Sequence, residues 1–297
     1  MTSLPRTLAR LGRFVLHRFQ PHRYVTYGLL WVLALEGTAV VATGTSWRPS
    51  GATWVRVTGV VLALLFLRML DEQKDLGHDR VHHPDRPLVT GAITAAELRG
   101  AMTAITVAAT ALNAVLSVTA ALLLLAALGY GLLLAALERL SPAVRDRPLL
   151  NLSVAYPVQV LLGAYVYGSL AAAGTVTADW RGAALLALSA CVFLHVEFAR
   201  KTAWEAPPGA RLYAADLGPR RSAAVTAGLA AGAVGCQILL CAPDGPLGLL
   251  PCLAAVLPAW GTRRFLSAGR GGWPMPTATG FVVVTYLGLV ARAVLRP

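Results

Sequence analysis

Charged residues are scarce in this chain of 297 residues, where they make up 13% of the total, and only 14 of them are acidic. A soluble domain of this size carries about 25% charged residues. Hydrophobic residues make up 56% of the chain, and one core in water would leave much of that apolar surface exposed. This composition excludes an ordinary soluble domain and predicts an integral membrane protein in a lipid bilayer.

Cysteine is also rare, and the few cysteines present do not form a C-x-x-C pair. This absence argues against a cysteine-rich metal site. All four lie in or beside apolar segments, so we interpret them as small packing residues. They are Cys191, Cys236, Cys241 and Cys252.

The apolar residues occur in blocks of the length that crosses a bilayer, about 20 residues as an α-helix. Because lipid cannot satisfy backbone polar groups, these blocks are expected to be helical. The sequence predicts an all-α bundle of nine transmembrane helices around a central cavity. The predicted spans are Tyr24–Thr45, Ala52–Leu70, Ala96–Leu116, Ala120–Leu137, Pro148–Ala172, Gly182–Val196, Ser222–Ala242, Leu247–Gly261 and Thr277–Leu295.

The basic residues lie between the apolar blocks, which argues against a nucleic-acid partner and makes them topology signals. We place the N-terminus in the cytoplasm and the C-terminus outside, in the cytoplasmic or plasma membrane. All but five of the 26 Lys and Arg residues then lie inside. The five exceptions are Arg48, Arg56, Arg181, Arg292 and Arg296.

The sequence predicts one integral membrane domain over residues 1–297, which begins with a basic cytoplasmic segment at 1–23. The loops at 68–95 and 197–221 are the long polar ones, and both are predicted on the cytoplasmic side. Functional residues concentrate in such loops. We therefore look for the active site there.

The first long loop opens with three aspartates at helical spacing. Asp71, Asp75 and Asp79 are four residues apart and share one face of a continuing helix. Three stacked carboxylates repel one another, and a divalent cation such as Mg2+ would relieve that repulsion. The alternative is a solvated loop in which Arg68, Lys74 and Arg80 pair with the carboxylates.

A specific resemblance follows from the next residues. Asp71-x-x-x-Asp75-x-x-x-Asp79, followed by Asp85-Arg86-Pro87-Leu88-x-x-Gly91, resembles the first aspartate-rich motif of the UbiA superfamily of intramembrane prenyltransferases. Asp71 stands where that motif usually has Asn, and Glu72 stands where it has Asp. The resemblance implies nine helices and a cytoplasmic active site. It also implies that Asp71, Asp75 and Asp79 bind a Mg2+ that bridges to a diphosphate, which Arg86 contacts.

A second acidic segment ends the sixth predicted span, with Glu197, Lys201 and Glu205 again four residues apart. The two segments suggest an internal repeat of two half-bundles. The superfamily places a second aspartate-rich motif here, and Lys201 departs from it. Either Lys201 replaces part of the cationic charge by contacting a phosphate directly, or Glu197 and Glu205 still hold a second Mg2+ while Lys201 binds the leaving diphosphate. An ordinary helix salt bridge at the membrane surface is the remaining alternative.

Two residues inside the spans also bear on function. Glu36 lies in the middle of a span, where a charge is costly, so we expect it to face the bundle and make a packing hydrogen bond. Tyr130 is one of several aromatic residues for which two roles are open: lining a cavity and stabilising a carbocation through the ring face, or packing in the core or the interface belt.

The resemblance predicts a Mg2+-dependent prenyltransferase that ionises an isoprenyl diphosphate and transfers the prenyl group to an aromatic or other lipophilic acceptor. A terpene cyclase acting without an acceptor is the first alternative, and a non-enzymatic transporter or lipid-binding scaffold is the second. The predicted catalytic residues are Asp71, Asp75 and Lys201. The predicted substrate contacts are Arg68, Lys74, Arg86, Glu197 and Tyr130, and the predicted metal ligands are Asp71, Asp75, Asp79, Glu197 and Glu205.

Overall fold

Helices account for the regular structure of the chain. A computed structural model describes residues 4–205, 210–242 and 245–296. Within those ranges no β-strand occurs, and one isolated antiparallel bridge joins Ala203 to Gly272. Residues 206–209 of the second predicted loop lie outside the described residues.

The described residues form fourteen α-helices, a π-helical turn at Val15–Phe19 and a 3-10 helix at Pro246–Ala255. The α-helices are α1 Leu4–Phe14, α2 Pro21–Ala42, α3 Gly51–Lys74, α4 Leu76–His82, α5 Ala95–Ala114, α6 Val118–Leu140, α7 Pro142–Asp146, α8 Pro148–Ala155, α9 Pro157–Ala172, α10 Trp180–Arg200, α11 Tyr213–Leu217, α12 Pro219–Cys241, α13 Val256–Ala268 and α14 Met275–Leu295.

Seven helical segments in the described part of the chain are long and apolar enough to cross a membrane. The all-α membrane fold is therefore confirmed, whereas the count of nine spans is not. The two predicted spans outside this set correspond to α5 and to the segment at 247–261, which is divided between the 3-10 helix and α13. Pro251 lies inside that 3-10 helix and has no N–H to donate to a continuous α-helix.

The turn predicted between the third and fourth spans is present. α5 ends at Ala114, and α6 begins at Val118. Ser117 caps α6, because its side chain accepts a hydrogen bond from the backbone N–H of Ala120. A serine at this position satisfies an N–H that the first turn of a helix leaves unpaired.

The helices divide into two compact units. The first contains α1, the start of α2, α3 to α6 and α9. Its core includes a polar contact, in which the Tyr165 hydroxyl lies 2.6 Å from Oδ1 of Asn113 and both residues are buried. Arg56 on α3 is also buried and donates to the Ser169 hydroxyl of α9 at 2.6 Å. These hydrogen bonds satisfy polar groups that lipid would leave unpaired.

The second unit contains the rest of α2 and α10 to α14. Glu36 is 3% exposed in it and accepts a hydrogen bond from Nε1 of Trp47 at 3.2 Å. The prediction that Glu36 faces protein is confirmed. At the centre of α10, Nδ1 of the buried His195 lies 2.8 Å from the carbonyl oxygen of Thr226 on α12.

Candidate active site

The three aspartates of the first acidic segment follow one helical path, as the spacing predicts. Asp71 lies in the last turn of α3, Asp75 lies at the junction of α3 and α4, and Asp79 lies in α4. The backbone N–H of Asp75 donates to the carbonyl of Asp71, and that of Asp79 donates to the carbonyl of Asp75, both at 2.9 Å. The hydrogen-bond pattern of a helix therefore continues through the junction and keeps the three side chains in one register.

Asp79 is held by the arginine of the motif. Its side chain is 2% exposed, and Oδ2 accepts a hydrogen bond from Nη1 of Arg86. The other oxygen, Oδ1, is buried and has no hydrogen-bond partner among the described residues. A buried carboxylate oxygen without a partner is costly, and a ligand that supplied positive charge would stabilise it.

A tight turn positions Arg86 for this contact. Its backbone N–H donates to the carbonyl of His83 at 3.1 Å, and its own carbonyl accepts from Thr90 at 3.0 Å. Gly91 ends the turn with a φ of +75°, a conformation that residues with a Cβ rarely adopt. Pro87 fixes the backbone next to Arg86. These backbone hydrogen bonds hold Arg86 within a turn beside Asp79.

The carboxylates of Asp71 and Asp75 are more accessible. The Asp71 side chain is 50% exposed and lies 3.4 Å from Nζ of Lys74. Asp75 is half-buried. Its side chain makes no hydrogen bond or ion pair with any residue of the described ranges, 4–205, 210–242 and 245–296. Burial raises the pKa of Asp75, and the nearby carboxylates of Asp71 and Asp79 raise it further, against the opposing effect of Lys74.

These carboxylates fit a magnesium ion that takes part of its coordination from a substrate. Among the described residues no three His, Cys, Asp or Glu side chains converge on one metal position. Mg2+ usually binds through one or two carboxylates together with substrate phosphates and water. Among the described residues, the Asp75 side chain makes no hydrogen bond or ion pair and Oδ1 of Asp79 has no hydrogen-bond partner, and both match that requirement.

Lys74, a predicted substrate contact, is engaged within the protein. Its Nζ lies 3.1 Å from Oε2 of Glu138 in α6, and the Glu138 side chain is 6% exposed. Glu138 was not among the predicted site residues, although an acidic residue at the end of a long apolar run is a usable sequence signal. The contact neutralises a buried carboxylate and links α3 to α6.

Arg68, another predicted substrate contact, belongs to a buried charge cluster. Glu72 is 1% exposed at its side chain and accepts from Arg68 at 2.6 Å and from Arg18 at 2.6 Å. Each arginine side chain is 22% exposed. Glu72 is therefore neutralised by two arginines, and one of them comes from the N-terminal segment. The pairing with Arg18 spans 54 residues and has no local sequence signal.

In the second acidic segment, both oxygens of Glu197 are occupied. Oε1 lies 3.0 Å from Nζ of Lys201 and accepts from the Tyr213 hydroxyl at 3.0 Å. Oε2 accepts from Nη2 of Arg200 at 2.7 Å. Burial and the adjacent Glu197 carboxylate raise the pKa of Tyr213, so its hydroxyl stays protonated and donates. Tyr213 was not among the predicted site residues, because it has no local sequence signal.

Glu205 does not share a helix face with Glu197, and that part of the spacing prediction is wrong. α10 ends at Arg200, and Glu205 is exposed beyond it. The chain leaves the helix because residues 202–204 pair with 271–273. The backbone N–H of Trp204 donates to the carbonyl of Gly271 at 2.9 Å, and the backbone N–H of Trp273 donates to the carbonyl of Thr202 at 3.0 Å. The role of Glu205 as a metal ligand stays a prediction that this geometry does not favour.

Tyr130 makes a structural contact. Its hydroxyl donates to the carbonyl of Val154 at 2.7 Å, close to the break between α8 and α9 at Pro157. The predicted span at 148–172 is therefore two helices. The predicted contact of Tyr130 with a substrate stays a prediction.

A cavity of about 320 Å³ in the second unit contains none of the predicted site residues. It is lined by Trp180, Arg181 and Arg296 among others. Arg181 begins α10, whereas Glu197 lies in its last turn, about 24 Å further along at 1.5 Å per residue. This cavity is not the predicted catalytic pocket.

The fold of this chain matches those of solved structures, although its sequence matches no known family model. No family model matches the sequence, and no curated protein does. Solved structures do match. A digeranylgeranylglyceryl phosphate synthase is 14% identical, with a TM-score of 0.65 over 96% of this chain and 99% of that protein. A UbiA homologue from Aeropyrum pernix K1 is 18% identical, with a TM-score of 0.63 over 91% of this chain and 97% of that one.

A third structure contains ligands. It is a UbiA homologue from Archaeoglobus fulgidus bound to DMAPP and Mg2+, and it is 16% identical. Its TM-score is 0.61 over 95% of this chain and 99% of that protein. The resemblance seen in the sequence motif is therefore confirmed at the level of the fold: this chain is an integral membrane protein with the fold of the UbiA homologues.

Proposed function

We propose that the protein is a Mg2+-dependent intramembrane prenyltransferase that ionises an isoprenyl diphosphate. The observation that carries the proposal is the arrangement of Asp75, Asp79 and Arg86. Among the described residues, the Asp75 carboxylate makes no hydrogen bond or ion pair. Asp79 has one buried oxygen without a partner, and its other oxygen accepts a hydrogen bond from Arg86. The same fold in a homologue bound to DMAPP and Mg2+ supports this assignment.

Each residue has a distinct role in the proposed reaction. Asp75 and Asp79 would supply carboxylate ligands to a Mg2+ ion, with Asp71 as a further predicted ligand, and the bound ion would neutralise negative charge on the diphosphate. Arg86 presents a planar guanidinium that suits phosphate oxygens, and Asp79 orients it. Because these groups are fixed before the substrate arrives, they stabilise the leaving group with little reorganisation.

The bond changes are those of an allylic substitution. The C–O bond to the diphosphate breaks, its electron pair leaves with the diphosphate, and an allylic cation remains. A nucleophilic atom of a lipophilic acceptor then forms a bond to the allylic carbon and loses a proton. Apolar helices around the prenyl chain exclude the water that would otherwise quench the cation.

The experiment supplies purified protein in detergent with Mg2+ and geranyl, farnesyl or geranylgeranyl diphosphate, and measures diphosphate release and extracted products. Release that requires an added aromatic acceptor, with a prenylated product, establishes the prenyltransferase. Release without acceptor and with a cyclic hydrocarbon would instead establish the terpene cyclase. No release in either arm would contradict an enzymatic function and favour the transporter or scaffold.

A further inference from the structure

The cavity of about 320 Å³ in the second unit is lined by residues that have no role in the proposed reaction. We call it the Arg181 cavity. It forms where α2, α12 and α14 end and where α10 begins. Every lining residue belongs to the second unit. The lining residues that matter for binding are Thr43, Trp180, Arg181, Leu239, Leu240 and Arg296.

The Arg181 cavity lies at the level of the lipid head groups. α2, α10, α12 and α14 are each long and apolar enough to cross a membrane. α10 has 21 residues, which span about 30 Å at 1.5 Å per residue, the thickness of the hydrocarbon core. The ends of these helices therefore lie at the boundary between hydrocarbon and head groups. Trp180 at the start of α10 is 52% exposed, and tryptophan is enriched at this boundary.

Within the part of the chain that the structure describes, the charged residues that line the cavity are two arginines. Nη1 of Arg181 lies 2.6 Å from Oδ2 of Asp179, and the Arg181 side chain is 40% exposed, so a ligand can reach it. Nη1 of Arg296 donates to the carbonyl of Val41 at 2.8 Å. An arginine has five N–H donors in a fork that matches phosphate oxygens. Two oriented guanidinium groups at one cavity favour an anionic ligand.

Hydroxyl groups extend the site next to Arg181. A second cavity, of about 290 Å³, shares Thr43 and Arg181 with the Arg181 cavity. It is also lined by Thr45 and Thr175. Threonine hydroxyls donate hydrogen bonds to phosphate and ester oxygens. The ligand therefore has room for a polar group beyond its phosphate.

One wall of the Arg181 cavity is apolar. Leu239 and Leu240 lie in the last turn of α12, and Leu239 is 55% exposed. Ile238 precedes them and is also exposed. Apolar side chains that are exposed at this level face the hydrocarbon of the membrane. A ligand that reaches the two arginines past this wall comes from the bilayer, and an anionic phospholipid combines the phosphate with the acyl chains that such a site needs.

We infer that the Arg181 cavity binds the head group of an anionic phospholipid, with the phosphate on Arg181 and Arg296 and the acyl chains along Leu239 and Trp180. Basic pockets between transmembrane helices bind anionic head groups in this way. The volume of the cavity is at the lower end of the range for ligand pockets, about 300–1,000 Å³, and suits a head group rather than a whole lipid. The inference also gives a reason for two of the five arginines that depart from the predicted cytoplasmic distribution of basic residues.

The first test is native mass spectrometry, which measures lipid bound to the purified protein in detergent. Dioleoylphosphatidylglycerol is compared with dioleoylphosphatidylcholine, which has the same acyl chains but no net charge. We expect the first phosphatidylglycerol to bind at least about 10-fold more tightly, as for a charged hydrogen bond, and to stay bound in excess glycerol phosphate. Equal affinities for the two lipids would overturn the inference. Displacement by glycerol phosphate would also overturn it, since the ligand would then be a soluble phosphate.

Substitutions of the two arginines test the contact itself. Arg181→Gln and Arg296→Gln should each weaken phosphatidylglycerol binding about 10-fold and change phosphatidylcholine binding by less than about 3-fold, because only the first lipid carries a net charge.

Arg264→Gln is the matched control. Cζ of Arg264 lies 5.9 Å from the ring centroid of the exposed Trp260, much as Cζ of Arg181 lies 5.4 Å from that of Trp180. Arg264 does not line the Arg181 cavity, so the phosphatidylglycerol affinity of Arg264→Gln should equal that of the wild type. Equal losses in Arg264→Gln and Arg181→Gln would overturn the inference, since any arginine at the membrane boundary would then serve.

Asp179→Asn gives a result that a folding defect cannot imitate. The Asp179 carboxylate competes with a phosphate for Arg181. Asparagine removes that charge and keeps an oxygen for the backbone N–H of Arg181, which caps α10 at 2.9 Å. We expect phosphatidylglycerol to bind at least about 2-fold more tightly, as for the release of an exposed ion pair. An affinity equal to or below that of the wild type would overturn the inference. No isoprenyl diphosphate is present in these measurements, so their outcome is independent of the proposed reaction.

Discussion

Arg86 donates to one oxygen of Asp79, while the other oxygen of that carboxylate is buried without a partner among the described residues. The pair therefore combines two tasks. The arginine neutralises a buried carboxylate and is itself held in one orientation for a phosphate. Substitutions at the two positions separate these tasks.

We predict that Arg86→Gln lowers both stability and diphosphate release. Removing one partner of a buried ion pair leaves the other charge uncompensated, at a cost of about 3–5 kcal/mol. Adding Asp79→Asn removes that uncompensated charge. The double variant should regain much of its melting temperature in detergent but no diphosphate release. Recovery of release in the double variant would contradict the phosphate-binding role of Arg86.

Glu72 gives a second stability prediction. Glu72→Gln leaves Arg18 and Arg68 close together without their shared carboxylate. We expect a loss of about 3–5 kcal/mol, measured as a lower melting temperature and easier proteolysis after residue 18. Glu205→Gln is the control because Glu205 is exposed, and its melting temperature should match the wild type. Equal melting temperatures for both variants would contradict a stabilising role of the ion pairs that Glu72 makes with Arg18 and Arg68.

Gly59 tests the packing of the first unit. A Cβ at Gly59 would lie 2.5 Å from the Tyr165 hydroxyl and 3.0 Å from Nδ2 of Asn113. Overpacking of this kind costs about 1–3 kcal/mol, so Gly59→Ala should lower the melting temperature. Gly129 on α6 has no atom within 4 Å of a built Cβ. Gly129→Ala should therefore be neutral or slightly stabilising, and a comparable loss there would show that the effect at Gly59 is not steric.

The sequence predicted the features that depend on local pattern. Blocks of apolar residues located the helices, and the four-residue spacing placed Asp71, Asp75 and Asp79 in one helical register. Features that depend on contacts between residues far apart in the sequence could not be predicted from local pattern. The end of α10 is an example: pairing of residues 202–204 with 271–273 stops the helix and moves Glu205 off its face. The contact of Tyr213 with Glu197 has the same long-range origin.

Two differences between the predicted and the observed helices have a cause that is visible in the sequence, because each involves a proline. Pro157 divides the predicted span at 148–172, and Pro251 lies within the 3-10 segment of the predicted span at 247–261. Proline lacks the N–H that a continuous α-helix needs. The cytoplasmic placement of the N-terminus depends on the distribution of basic residues and stays a prediction.

The most direct test of the proposed chemistry is Mg2+-dependent diphosphate release by Asp75→Ala beside the wild type. Asp216→Ala is the control, because it removes an exposed carboxylate from α11. The account predicts release by the wild type and by Asp216→Ala, abolished by EDTA, and a fall of at least about 100-fold in Asp75→Ala, comparable to the loss of one leaving-group contact in other enzymes. Release by Asp75→Ala at the wild-type rate, or release by the wild type that EDTA leaves unchanged, would contradict it.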